Sequence, residues 1–196
     1  MRRASILSGS TITVGGKMQP GFAVWITGLP ASGKSTLTAA LAGALSIRGI
    51  RAAVLESDVL RRIFTPHPRY DEEEREVFYG AMAYVGRLLT EHGVSVIFDA
   101  TANRRAYRDR ARTQIPRFLE VYIDIPLAVC VARDPKGIYR KAREGAAATV
   151  PGIQAAYEPP LHQEVVVKGD QEAAEIGAER VMAKLIERGF LSAKAA

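Results

Sequence analysis

The sequence predicts an α/β fold in which a five-stranded, mostly parallel sheet is sandwiched between two layers of helices. Three observations carry this. Five short apolar runs punctuate the chain, at 22–27, 52–57, 94–99, 118–125 and 164–167. The first three lack polar alternation, as strands buried on both faces do. Helical patterns separate them, and strands alternating with helices build right-handed crossovers into one open sheet.

In chain order, FAVWIT is the first strand, followed by the helical stretch STLTAALAGALSIRG. AAVLES is the second strand and EEEREVFYGAMAYVGRLLTEHG the long helix after it. VSVIFD, RAYRDRARTQ, FLEVYIDI, EVVV and QEAAEIGAERVMAKLIERG complete the alternation. No internal repeat or low-complexity linker interrupts it. The expected organisation is an N-terminal extension over residues 1–20, then a single domain over 21–196 with a lid at about 133–150.

The 196 residues suffice for a full core, and 47% apolar with 24% charged residues is ordinary for a globular protein. No apolar run reaches the roughly 18 residues of a membrane span, and the N-terminus lacks a secretory apolar region. The expectation is a cytoplasmic protein that does not engage membranes. Cys130, alone and inside LAVCV, reads as a small core residue. His67, His92 and His162 are too scattered for a zinc cluster. The net charge of +6 suits nucleic acids or small polyanions such as nucleotides. A nucleic-acid regulator predicts a basic stripe with interleaved aromatics; aromatics are only 7%, so nucleic acid is not expected as a partner. Composition is silent on oligomeric state and leaves a homodimer open.

The first strand runs into Gly28-Leu29-Pro30-Ala31-Ser32-Gly33-Lys34-Ser35-Thr36. This is G-x-x-x-x-G-K-[ST] between a strand and a helix, the context that distinguishes a phosphate-binding P-loop from an accidental glycine-rich turn. Gly28 and Gly33 let backbone N–H groups converge on phosphate oxygens, and the helix adds its positive end. Lys34 is expected to reach the β- and γ-phosphates of ATP, and Ser35 to ligate Mg²⁺. No guanine-reading Asn-Lys-x-Asp stretch is present, which argues against a GTPase and for a small-molecule kinase.

Ligands of parallel sheets gather at the carboxyl ends of the strands. Asp58 follows the second strand and Asp99 ends the third, so both are expected beside the P-loop. Asp99, after VSVIF, is the expected Mg²⁺ residue; its alternative is a turn residue. Asp58 is the expected acceptor of the proton from an attacking hydroxyl, with an N-cap role as alternative and Glu56 as understudy. Arg61, three residues beyond Asp58, and Arg75 fit an anionic acceptor; exposed surface arginines are the competing account.

The segment ARDPKGIYRKAREG carries five cations, with Pro135 and Gly137 as bend points. Such a loop can fold over a triphosphate and exclude water. Arg133 and Lys136 are the functional choices, Arg133 stacking on adenine; Arg143 reads as solvated. This segment and PGIQAAYEPPLHQEVVV together resemble the adenylyl-sulfate kinase family across residues 120–167, with looser likeness in FAVWITGLPASGKST and ESDVLRR. The resemblance implies a P-loop kinase that uses MgATP to phosphorylate the 3′-hydroxyl of adenosine 5′-phosphosulfate. It makes Asp58 the catalytic aspartate and Arg61 and Arg75 the arginines holding the nucleotide substrate. Lys136, Gly152 and Ile153 then belong to the part closing over both nucleotides. The chain departs from the family where Ala100-Thr101-Ala102-Asn103 replaces Phe-Ile-Ser-Pro and Phe78 replaces an Asn. FTPHPRYDEEEREVFY and VIFDATANRR resemble the wider group of P-loop kinases, so another hydroxyl-bearing anion is the alternative acceptor.

Overall fold

The computed structural model describes residues 19–147 and 149–193. Most of the expected N-terminal extension lies outside the described residues. The elements in chain order are β1 (Ala23–Thr27), α1 (Lys34–Ile47), β2 (Ala52–Glu56), α2 (Ser57–Phe64), α3 (Glu72–Glu91) and β3 (Ser95–Asp99). They continue with α4 (Arg105–Gln114), β4 (Phe118–Asp124), α5 (Leu127–Arg133), α6 (Ile138–Arg143), β5 (Val165–Lys168) and α7 (Ala174–Glu187).

The sheet order is β2-β3-β1-β4-β5, and every pair is parallel. The central strand β1 is buried along its whole length, which is why AVWIT shows no polar alternation. Successive side chains still point to opposite faces. Val24 and Ile26 join Leu37, Leu41, Val181 and Leu185 under α1 and α7. Ala23 and Trp25 join Phe78, Met82, Phe98 and Tyr107 under α3 and α4. Trp25 stacks on Phe98 with ring centroids 4.5 Å apart, and its indole Nε1 donates to the Ala100 carbonyl at 3.2 Å. The long helix reaches the sheet closely at Gly86, where a Cβ would fall 2.1 Å from the Phe98 ring. Any side chain there would push α3 off the sheet.

Asp71, not Asp58, caps a helix: its Oδ1 accepts from the Glu74 amide at 2.8 Å. The capping alternative for Asp58 therefore fails, because α2 starts one residue earlier, with Glu56 at its cap position and Asp58 inside its first turn. A buried ionic network ties β4 to α4 and to the segment before β5. Arg108 donates to Glu120 at 2.6 Å, and Arg112 donates to Glu164 at 2.7 Å and to Glu120 at 3.2 Å. Among the described residues no helix is long and apolar enough to cross a membrane.

Candidate active site

Strand register brings the site together. Asp99 pairs with Ile26 of β1 and with Glu56 of β2, so the carboxyl ends of three strands finish level. The P-loop leaves β1 at that row. Gly28 (φ 156°) and Gly33 (φ 103°) hold conformations that L side chains rarely adopt, and a Cβ on Gly28 would meet Ser32 Oγ at 2.9 Å. Ala31 is also left-handed, at φ 59°. Non-glycine residues are held there at some energetic cost, as is common at functional loops.

The cap position of α1 is Gly33, which has no side chain to satisfy the first amides, and the first turn carries no acid. These donors and the positive helix end suit an anion. Lys34 Nζ donates to the carbonyls of Leu29 (2.9 Å) and Gly28 (3.2 Å). Burial pushes its pKa below the ordinary lysine value, and the charges of Asp99 and then Asp58 pull it partly back. Strand register places Asp99 level with Ile26 and Glu56, and Asp58 follows Glu56 by two residues, so both carboxylates lie at the same end of the sheet as the cradle. Asp99 is buried at the end of β3, whereas Asp58 is exposed.

Asp58 is engaged by the basic segment. Lys136 Nζ donates to Asp58 Oδ2 at 2.5 Å, and that hydrogen bond holds the lysine pKa above its ordinary value. Both side chains are largely exposed, so the pair is easily exchanged for a substrate anion. The lid is less detached than a chain of hinges and solvated cations would be. Tyr139, the second residue of α6, is buried and donates its hydroxyl to the Pro30 carbonyl at 3.0 Å. Ala142 is buried beside it, while Arg140, Lys141 and Arg143 face solvent. α6 is therefore anchored to the P-loop backbone through one face. Arg133, ending α5, donates to the Gly169 carbonyl at 3.0 Å, beside the outer wall of the P-loop. A shallow cleft of about 220 Å³ opens between Asp124, Pro126, Lys168 and Asp170 next to it.

The residues expected to face the acceptor are side chains that meet across long sequence separations. Arg61 is buried and ion-paired with Glu74 at 2.5 Å, and its guanidinium lies over the rings of Phe78 (4.0 Å) and Tyr70 (4.8 Å). It does not share an open face with Asp58. Phe78, where the family pattern has an Asn, is thus the floor under Arg61. Arg75 is also buried; its Nε donates to the Tyr70 carbonyl at 2.9 Å and its Nη2 to the Thr149 carbonyl at 2.7 Å. Gly152, at φ 90°, lets the turn after Thr149 press on the P-loop: a Cβ there would sit 3.0 Å from Leu29 and 3.1 Å from Leu127. Ile153 beside it is exposed.

Several contributors escaped the sequence reading. Tyr70 is left-handed at φ 58°, and its carbonyl accepts from Arg75 and from Thr149 Oγ1. Thr27, last residue of β1, donates to the Thr101 carbonyl at 2.6 Å and lies 3.0 Å from the Tyr157 hydroxyl. With the Thr27 proton directed at that carbonyl, the Tyr157 hydroxyl is the donor between the two. Burial pushes Tyr157 well above the ordinary tyrosine pKa and keeps it a neutral donor. Only the departure of ATAN from the family pattern drew attention to this loop in the sequence.

The residues fit Mg²⁺ delivered with a nucleotide. Among the described residues no group of three or more His, Cys, Asp or Glu side chains gathers to form a closed metal site. One carboxylate, Asp99, and the exposed Ser35 hydroxyl at the start of α1 are the donor set Mg²⁺ takes when phosphates and water complete its shell.

Comparison with known proteins agrees with this geometry. The family model for adenylylsulphate kinase matches residues 20–168. The adenylyl-sulfate kinase of Microcystis aeruginosa is 39% identical over 173 residues, covering 88% of this chain and 96% of that protein. The solved structure of the Mycobacterium tuberculosis APS kinase CysC in complex with AMPPNP and APS superposes with a TM-score of 0.80 at 31% identity. It covers 85% of this chain and 98% of the other. A Sinorhizobium meliloti gluconokinase shares the fold alone, with a TM-score of 0.57 at 20% identity over 90% of this chain and 99% of the other. The match spans the P-loop, both aspartates and the basic segment after β4, and the chain belongs to the adenylyl-sulfate kinase family.

Proposed function

We infer that this chain transfers the γ-phosphoryl group of ATP to the 3′-hydroxyl of adenosine 5′-phosphosulfate, giving 3′-phosphoadenylyl sulfate and ADP. The observation that carries this reading is the convergence of Lys34, Asp58 and Asp99 at the strand ends, with the lid's Lys136 already on Asp58.

Each residue then has a task. The backbone of residues 28–36 cradles the phosphates, and Lys34 leaves the Gly28 and Leu29 carbonyls for the β- and γ-oxygens. Ser35 and Asp99 would hold Mg²⁺, which when bound would neutralise charge on the transferring group. Arg133, beside the cleft at Lys168 and Asp170, faces the adenine of ATP. Arg61, Arg75, Gly152 and Ile153 surround the acceptor.

For the acceptor hydroxyl to approach Asp58, Lys136 must release the carboxylate. It is then free to meet the negative charge of the phosphoryl group. Asp58 takes the hydroxyl proton as the acceptor oxygen bonds to the γ-phosphorus, while the bond from that phosphorus to the β,γ-bridging oxygen breaks and its electron pair leaves with ADP.

The test is ADP release by the purified chain with ATP, Mg²⁺ and a panel of hydroxyl-bearing anions. Adenosine 5′-phosphosulfate should turn over fastest. If it stimulates ADP release no more than water does, the assignment of the acceptor fails. Efficient turnover of a different anion would replace it with the second reading, which the Phe78 floor and the ATAN loop favour.

A further inference from the structure

Asn103 is a short buried side chain that the reaction itself does not use, yet both ends of its amide are engaged. Its Oδ1 accepts from Arg75 Nη1 at 2.6 Å. Its Nδ2 donates to the Ala156 carbonyl at 2.9 Å. Its own carbonyl accepts from the Glu158 amide at 2.8 Å. One residue in the loop after β3 thereby joins the first turn of α3 to the segment 156–158 that follows the lid.

The connection continues through Arg75. That guanidinium donates to the Thr149 carbonyl (2.7 Å) and lies 3.2 Å from Thr149 Oγ1, which in turn donates to the Tyr70 carbonyl at 2.9 Å. The turn 149–156 is therefore pinned at both ends by one side chain: at Ala156 directly, and at Thr149 through Arg75. Between those pins lies Gly152, packed on Leu29 of the P-loop, with its amide donating to the Ala155 carbonyl at 2.8 Å. A proline side chain, which the family pattern has at this position, offers neither an acceptor for Arg75 nor a donor for Ala156.

We propose that Asn103 is a positioning residue for the acceptor half of the site: it fixes the plane of the Arg75 guanidinium and, through it, the turn 149–156 that closes over the acceptor. This rests on the reading of Arg75 and that turn as acceptor-binding. A planar guanidinium held by its Nε, Nη1 and Nη2 has little freedom left to lose when an anion arrives. Lost freedom is a main cost of binding, so the preset geometry favours acceptor affinity. None of these hydrogen bonds reaches the cradle for ATP, so a change at Asn103 should act on the acceptor far more than on nucleotide affinity.

Steady-state kinetics of Asn103→Ala and Asn103→Asp test this. Removing a buried hydrogen bond to a charged group costs about tenfold or more. Asn103→Ala should therefore raise the acceptor KM by about tenfold while kcat and the ATP KM stay within about twofold. Asn103→Asp keeps the acceptor atom for Arg75 but sets a carboxylate oxygen against the Ala156 carbonyl, so it should recover only part of the loss. Equal KM changes for ATP and acceptor would overturn the proposal in favour of a general structural role. Should the wild type phosphorylate no acceptor in the panel, amide hydrogen exchange of the ADP-bound protein decides instead. Asn103→Ala should then speed exchange at Gly152 and Ile153 but not within α1; unchanged exchange in that turn overturns the proposal.

Discussion

The P-loop and the residues proposed to face the acceptor, here the donor cradle and the acceptor wall, are held in different ways. The cradle is consecutive chain, residues 28–36, whose working groups are backbone amides, one lysine and a helix end. The acceptor wall takes Asp58 and Arg61 from α2, Arg75 from α3, Asn103 from the loop after β3 and Thr149 from the lid. Its bonds span 28 residues from Arg75 to Asn103 and 74 from Arg75 to Thr149. A backbone cradle tolerates changes at its side chains other than Lys34 and Ser35, because glycine geometry and amide direction do most of the binding. The acceptor wall depends on each side chain that ties one segment to another. Divergence between this chain and the family pattern falls on that wall, at Phe78 and at Ala100 to Asn103, and leaves the cradle intact.

Substitutions can break each half separately. Asp58→Asn should have the largest effect, lowering kcat by about 10²–10⁴ if the carboxylate takes the proton. ADP affinity should hold, because Asp58 is on the acceptor side. Unchanged turnover would remove Asp58 from the chemistry. Lys34→Ala removes a preorganised donor to the phosphates and should lower kcat by about 10²–10³. Its fold, followed by circular dichroism, should persist, since it takes away a buried charge whose pKa burial already depresses. Retained ATP turnover would contradict the cradle. The smallest effect is expected from Tyr139→Phe, which deletes the bond to Pro30 and a weaker contact with the Cys130 thiol. About 1 kcal/mol of stability should be lost, a fall of about 2–4 °C in Tm. A larger loss of activity than of stability would show that α6 must be seated for the lid to work.

The same contrast explains what could be read from sequence. The sheet, the P-loop, Asp58 and Asp99 were legible because each is a local pattern: an apolar run, a glycine spacing, an acid at a strand end. The lid's cations were legible too, but Tyr139 was not. It sits among charged residues in a six-residue helix, and only the three-dimensional approach of Pro30 shows that it is an anchor. Arg61 carries the same lesson. Spacing placed it on the Asp58 face, whereas Glu74, thirteen residues later, draws it onto Phe78 and Tyr70. Pairings over such separations leave no periodicity behind. Asn103 was visible only as an oddity against the family pattern, and its bonds gave it a role.

The independence of the two halves is tested most directly by measuring ADP affinity and acceptor kcat/KM in Arg75→Ala. ADP affinity should stay within about twofold, while acceptor kcat/KM falls by about 10²-fold or more, as expected for loss of a buried, multiply bonded arginine. Equal losses of nucleotide affinity and acceptor efficiency would contradict the account, since the cradle and the wall would then be one structure.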